Sequence, residues 1–143
     1  MRGKRASAIS CMSVQGILNC KTVMGSVDGS VFDFVQSSLL HHLMPFDGHN
    51  PHSVVILDNC SIHHIQEIVH MIQEVGAIVH FLPPYSPDLN PIEEAFSKVK
   101  STLKLLDKEA EMGESTENLL LSAFSYISKD DCQNWIDHAY PHL

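Results

Sequence analysis

Apolar and polar positions alternate roughly over residues 4–14 (KRASAISCMSV), with no breaker, and predict a strand. Gln15-Gly16 is a turn signal, and residues 17–25 (ILNCKTVMG) predict a second strand, so the pair reads as a hairpin. Phe34, Val35, Leu39 and Leu43 then fall at helical spacing, which predicts a helix over 30–44 ended by Pro45. Ser30 with Asp33 three residues on resembles a capping box at its start. Residues 53–58 (SVVILD) form a short unbroken apolar run that stops at an acid, the pattern of a strand buried on both faces. Ile62, Ile65, Ile68, Val69, Ile72 and Val75 repeat at helical spacing up to Gly76, a natural helix stop. Residues 77–82 (AIVHFL) predict another short buried strand, halted by Pro83-Pro84. Asn90-Pro91 opens a helix carrying Ile92, Phe96, Val99, Leu103 and Leu106 as its apolar stripe. Two shorter helices are expected near 115–127 and 129–139. The order hairpin, helix, strand, helix, strand, helix predicts an α/β layer with a mixed sheet.

Length and composition bound this reading. The 143 residues suit one domain with a proper core. At 44% hydrophobic and 18% charged, the chain has a globular composition. Its net charge of −8 argues against a simple basic wrapper of nucleic acid, but not against a nucleic-acid enzyme that uses carboxylates for metal. The charge is uneven: residues 1–104 sum to −2 and residues 105–143 to −6. The expected organisation is therefore a main body over 1–106, followed by an acidic loop and C-terminal helical extension over 107–143. No apolar stretch approaches the ~20 residues of a membrane span, and the basic N-terminus lacks a secretory signal's apolar region. The four cysteines, at 11, 20, 60 and 132, form no C-x-x-C pair and read as buried thiols rather than a disulfide framework. An intracellular location is expected.

Two acids stand out by position. Asp58 ends one predicted strand, and Glu93 lies in the first turn of the helix that follows another. The carboxyl ends of strands in open α/β sheets are where sites form. Carboxylates brought together from separate elements repel unless a divalent cation with oxygen ligands joins them. Plain structural readings exist for both: Asp58-Asn59 as turn chemistry, and Glu93 as the reciprocal partner of Asn90 in a capping box. Ten histidines invite a zinc reading, but the pairs His41-His42 and His63-His64 point to different helix faces and lack ligand spacing.

The wider string adds to this. Residues 57–63 read LDNCSIH, residues 82–93 read LPPYSPDLNPIE, and 34 residues separate Asp58 from Glu93. Over roughly residues 4–104 the chain resembles the catalytic core of the DDE superfamily transposases, in particular the mariner-type branch. The resemblance implies an RNase H-like fold: a mixed five-stranded sheet flanked by helices. It implies DNA cleavage and strand transfer by two Mg²⁺ (or Mn²⁺) ions about 3.5–4 Å apart. Asp58 and Glu93 match the second and third metal-binding acids. Asn59, His63 and Asn90 match positions close to the site. His63 could orient a ligand or touch phosphate, or be a solvated first-turn histidine. Cys60 replaces the family's usual Ala. The three prolines at 83, 84 and 87 stiffen the path to Glu93. Lys100 and Lys104 share a helix face with Glu93 and are candidate DNA-backbone contacts, as are Arg2, Lys4 and Arg5. A solvated lysine face is the competing reading.

The family's first acid lies on a strand upstream of the hairpin. Arg2-Gly3-Lys4-Arg5 already matches the approach to the second strand, so this central strand and its Asp are expected to be absent, along with the DNA-reading helix-turn-helix region. Asp28, Asp33 and Asp47 sit in the wrong elements to replace that acid. The resulting expectation is a DDE transposase fragment, inactive alone. The alternative is a reused non-catalytic module that binds protein or nucleic acid. DNA is the expected partner, a homodimer is compatible, and neither a membrane nor a small-molecule substrate is expected. For a eukaryotic source the nucleus is the expected compartment.

Overall fold

The computed structural model describes residues 6–24, 29–58, 64–84, 86–109 and 115–141. In chain order the elements are β1 (Ala6–Ser13), β2 (Gly16–Met24), α1 (Ser30–Ser37), a 3-10 turn (Leu39–His42), β3 (Val54–Leu57), α2 (Ile65–Glu74), β4 (Ile78–Phe81), a second 3-10 turn (Pro87–Leu89), α3 (Ile92–Glu109), α4 (Thr116–Ser125) and α5 (Lys129–Ala139). The chain is mixed α/β, with two small sheets and five α-helices among the described residues. It divides into two compact units.

One unit holds β1, β2, α3, α4 and α5. The two strands pair antiparallel, with Ser10 opposite Cys20 and Met12 opposite Ile17. The register shifts between Cys11 and Met12, leaving Leu18 as the extra residue of a bulge. Strand alternation puts Ala8, Met12, Ile17 and Cys20 against a core of Ala95, Val99, Leu120, Ala123, Phe124, Ile127 and Cys132. Phe96 meets Phe124 edge-on, ring centroids 6.3 Å apart. Ser115 caps α4 by accepting from the Asn118 amide at 3.0 Å. Ser128 and Asp131 form a reciprocal capping box on α5, both bonds 3.0 Å. Lys98 Nζ donates to Asp131 Oδ2 at 2.5 Å, which fastens α3 to the start of α5.

The other unit holds α1, β3, α2, β4 and the two 3-10 turns. β3 and β4 pair parallel, from Val54 opposite Ile78 to Leu57 opposite Phe81. α2 packs against β4 and buries Ile68 and Ile72. Gly76 ends α2 at φ 90°, and a Cβ there would lie 2.8 Å from Pro45 Cβ, so glycine serves both the turn and the close approach.

Three local expectations are corrected. The helix over 30–44 is α1 only to Ser37, then a 3-10 turn. Ser37 Oγ donates back to the Asp33 carbonyl at 2.7 Å, and Ser38 leaves the helix at φ −127°, as hydroxyl side chains competing with the helical ladder tend to do. The capping box at Ser30 and Asp33 is not formed: Gly29, in the left-handed region, occupies the N-cap, so Ser30 is already inside the helix. Finally, β3 and β4 are not buried on both faces, with Val54, Ile78 and Phe81 each more than 40% exposed. The buried positions are Val55 within β3, and Ser53, Ala77 and Leu82 at the strand ends. An unbroken apolar run marks double burial only when layers cover both faces of a wide sheet. This sheet has two strands among the described residues.

Candidate functional site

Asp58 follows directly on Leu57, the last residue of β3, and is exposed. Strand geometry ends there, so its carboxylate stands at the carboxyl end of the sheet, as the sequence predicts. It makes no hydrogen bond or ion pair among the described residues. Glu93 is the second residue of α3, exposed, and likewise unpaired. The capping-box bond from Glu93 back to Asn90 is therefore not formed, which removes the plain structural role weighed for this acid. Asn90 is half-buried just ahead of Pro91. Asp58 and Glu93 belong to different units, and each position is described within its own.

The neighbouring acids differ in kind. Asp88 lies in the second 3-10 turn and Glu94 beside Glu93, both exposed. Asp47 is consumed by its own turn: its Oδ1 accepts the His49 and Asn50 amides at 2.8 and 2.7 Å. Those bonds, with Asn50 the larger contributor, hold its carboxyl below the usual range. Asp131 is also held low, first by the hydrogen bond from Lys98 and then by the Ser128 amide. Sequence reasoning passed over this Lys98–Asp131 pair. The Ser128-x-x-Asp131 spacing was the available signal, the same pattern that misled at Ser30.

Lys100 and Lys104 are exposed on α3 and make no ion pair among the described residues. Arg2, Lys4, Arg5, Asn59, Cys60, His63 and Tyr85 lie outside the described residues. His64 sits at φ 62°, its ring 5.5 Å from that of Phe32. His70 pairs with Glu74 at 2.9 Å on the surface of α2. Cys11, Cys20 and Cys132 are free thiols, and burial pushes the Cys11 thiol up to about 11, so it is a poor nucleophile at neutral pH.

The family model of the DDE superfamily endonucleases matches residues 1–113, a span that includes both Asp58 and Glu93. The chain belongs to the DDE superfamily endonucleases. Searches of curated proteins and of solved structures each found no significant match. Membership of the DDE superfamily endonucleases is thus carried by sequence. Among the described residues no helix is long and apolar enough to cross a membrane.

Asp58 and Glu93 each present a solvent-reachable carboxylate with no partner among the described residues, the oxygen donor type that a hard divalent cation takes. Among the described residues no three His, Cys, Asp or Glu side chains cluster in a way that could hold a metal ion.

Proposed function

We propose that this chain carries the second and third acids of a DDE catalytic core that cleaves and joins DNA on an RNase H-like scaffold. The observation that carries the reading is the coincidence of family membership with two exposed carboxylates, Asp58 and Glu93, that are unpaired among the described residues. Bound Mg²⁺ or Mn²⁺ would supply Lewis-acid stabilisation of the phosphoryl oxygens and an activated oxygen nucleophile. Asp58 and Glu93 would hold it. With no hydrogen-bond partner among the described residues, both carboxylates leave their oxygens open to a cation. Asn59, His63 and Asn90 match family positions close to the site and are proposed to serve it. Arg2, Lys4 and Arg5 are proposed DNA-backbone contacts.

The sheet topology supports the scaffold. An antiparallel pair and a parallel pair among the described residues are compatible with a mixed α/β scaffold. The same account holds that the 143-residue polypeptide does not cut DNA alone, because it supplies two of three acids.

The test is plasmid nicking in Mg²⁺, by the 143-residue chain and by the chain extended upstream with a family strand ending in Asp. The expected result is nicking only by the extended form, lost in Asp58→Asn and in Glu93→Gln. Nicking by the shorter chain would contradict the need for a third acid. Nicking by the extended chain that survives both substitutions would contradict the assigned roles.

A further inference from the structure

The hairpin unit leaves a strand edge open beside its helices. Among the described residues β2 has one ladder partner, β1, so it is an edge strand. At one end of it Glu117, in the first turn of α4, accepts a hydrogen bond from the Thr22 hydroxyl at 3.4 Å. At the other end Lys129, which opens α5, lies against Gly16, with its Cα 3.9 Å from the place a Cβ on Gly16 would take. Between these ends lies an open groove of about 530 Å³, within the usual range of a binding pocket. Residues 15–20 line it in unbroken succession, so it follows the strand's backbone rather than one face. Ile17, Leu18, Leu121, Phe124 and Ile127 make it apolar, and Leu121 is 42% exposed. Lys129 is the charged residue among those lining it, and makes no ion pair among the described residues. The helices that wall the groove, α4 and α5, lie beyond the residues 1–113 matched by the family model.

An edge strand beside an apolar groove takes up an extended peptide: main-chain hydrogen bonds hold it, and alternate side chains fill the groove. The stretch from Gly16 to Thr22 is about 20 Å long at strand spacing, which about seven extended residues span. Its two ends carry opposite charge, Glu117 beside Thr22 and Lys129 beside Gly16. Antiparallel addition, the more stable ladder, starts the peptide at Thr22 and ends it at Gly16. Charge complementarity then asks for a base at its start and an acid at its end, with apolar residues between them on the same face. We propose that the β2 edge docks an extended segment of another protein with the pattern base-x-apolar-x-apolar-x-acid, its base at Glu117 and its acid at Lys129. Neither Asp58 nor Glu93 takes part.

The test is fluorescence anisotropy of the full chain with a labelled, end-blocked probe, Lys-Thr-Val-Thr-Val-Thr-Glu. Saturable binding is expected, and a probe with serine for both valines should lose it. The charge-swapped probe Glu-Thr-Val-Thr-Val-Thr-Lys should bind about fivefold more weakly, the scale of two exposed ion pairs. In the double variant Glu117→Lys/Lys129→Glu the preference should invert, a gain of binding that a misfolded chain would not show. No saturable binding, equal affinity for the two charged probes, or no inversion overturns the proposal. So does a dimer of the chain in sedimentation that Lys129→Glu dissociates, because a second copy would then fill the groove.

Discussion

The hairpin unit and the β3–α2–β4 unit contrast in what covers their strands. In the first, α3, α4 and α5 supply a contiguous core against which one face of the hairpin packs, and Phe124, Ala123 and Cys132 are fully enclosed. In the second, α2 closes over Ile68 and Ile72, yet Val54, Ile78 and Phe81 stay open to solvent. Charge divides along the same line, since the second unit holds no Lys or Arg. The hairpin unit thus combines an enclosed core with all nine Lys and Arg of the chain. The other unit is built to present the end of a strand, where Asp58 stands.

Mutations can sharpen that contrast. Phe124→Ala, which removes a buried ring stacked edge-on against Phe96, is expected to cost about 3–5 kcal/mol in urea unfolding. Ile72→Ala, at the enclosed face of α2, should cost about 2–5 kcal/mol. If the two units unfold separately, each variant will shift its own transition and leave the other in place. A single shared shift would break the contrast. Gly76→Ala is next, at about 1–3 kcal/mol, because it combines a left-handed φ with a Cβ pressed on Pro45.

Lys98→Ala should be milder, about 0.5–1 kcal/mol, since both partners are partly solvated. Its signature is pH dependence. The folded-state value of Asp131 lies below its unfolded value, so the unfolded chain binds the proton more readily. The stabilisation is full above about pH 4 and lost as pH falls through the lower folded value. Stability measured against pH should show a shallower acid-side loss in Lys98→Ala than in the native chain. An unchanged profile would mean that Lys98 does not hold Asp131 low. The smallest effect is expected for Val54→Thr, within about 0.5 kcal/mol, against a clear loss for Val55→Thr one residue on. Equal losses would mean that both faces of β3 are covered after all.

Much of the fold was legible. Helical spacing marked α2 through Ile65, Ile68 and Ile72, and Asn90-Pro91 marked the start of α3 to within two residues. What failed was local competition and context. The first helix ends where the Ser37 hydroxyl bonds back to the Asp33 carbonyl and Ser38 leaves helical geometry, which periodicity does not register. The apolar letters of β3 could not say how many strands would share its sheet. A string of neighbours, not their own burial, singles out Asp58 and Glu93 in the sequence. That neither has a partner among the described residues could be seen only in three dimensions.

The most direct measurement of the central claim is Mn²⁺ binding to the purified chain by electron paramagnetic resonance. Asp58→Asn and Glu93→Gln should each weaken binding about tenfold or more, a loss of the size seen when even an outer partner of a metal site is removed. The neighbouring substitutions Asp88→Asn and Glu94→Gln should leave it unchanged. Mn²⁺ affinity untouched by Asp58→Asn and Glu93→Gln would contradict the account.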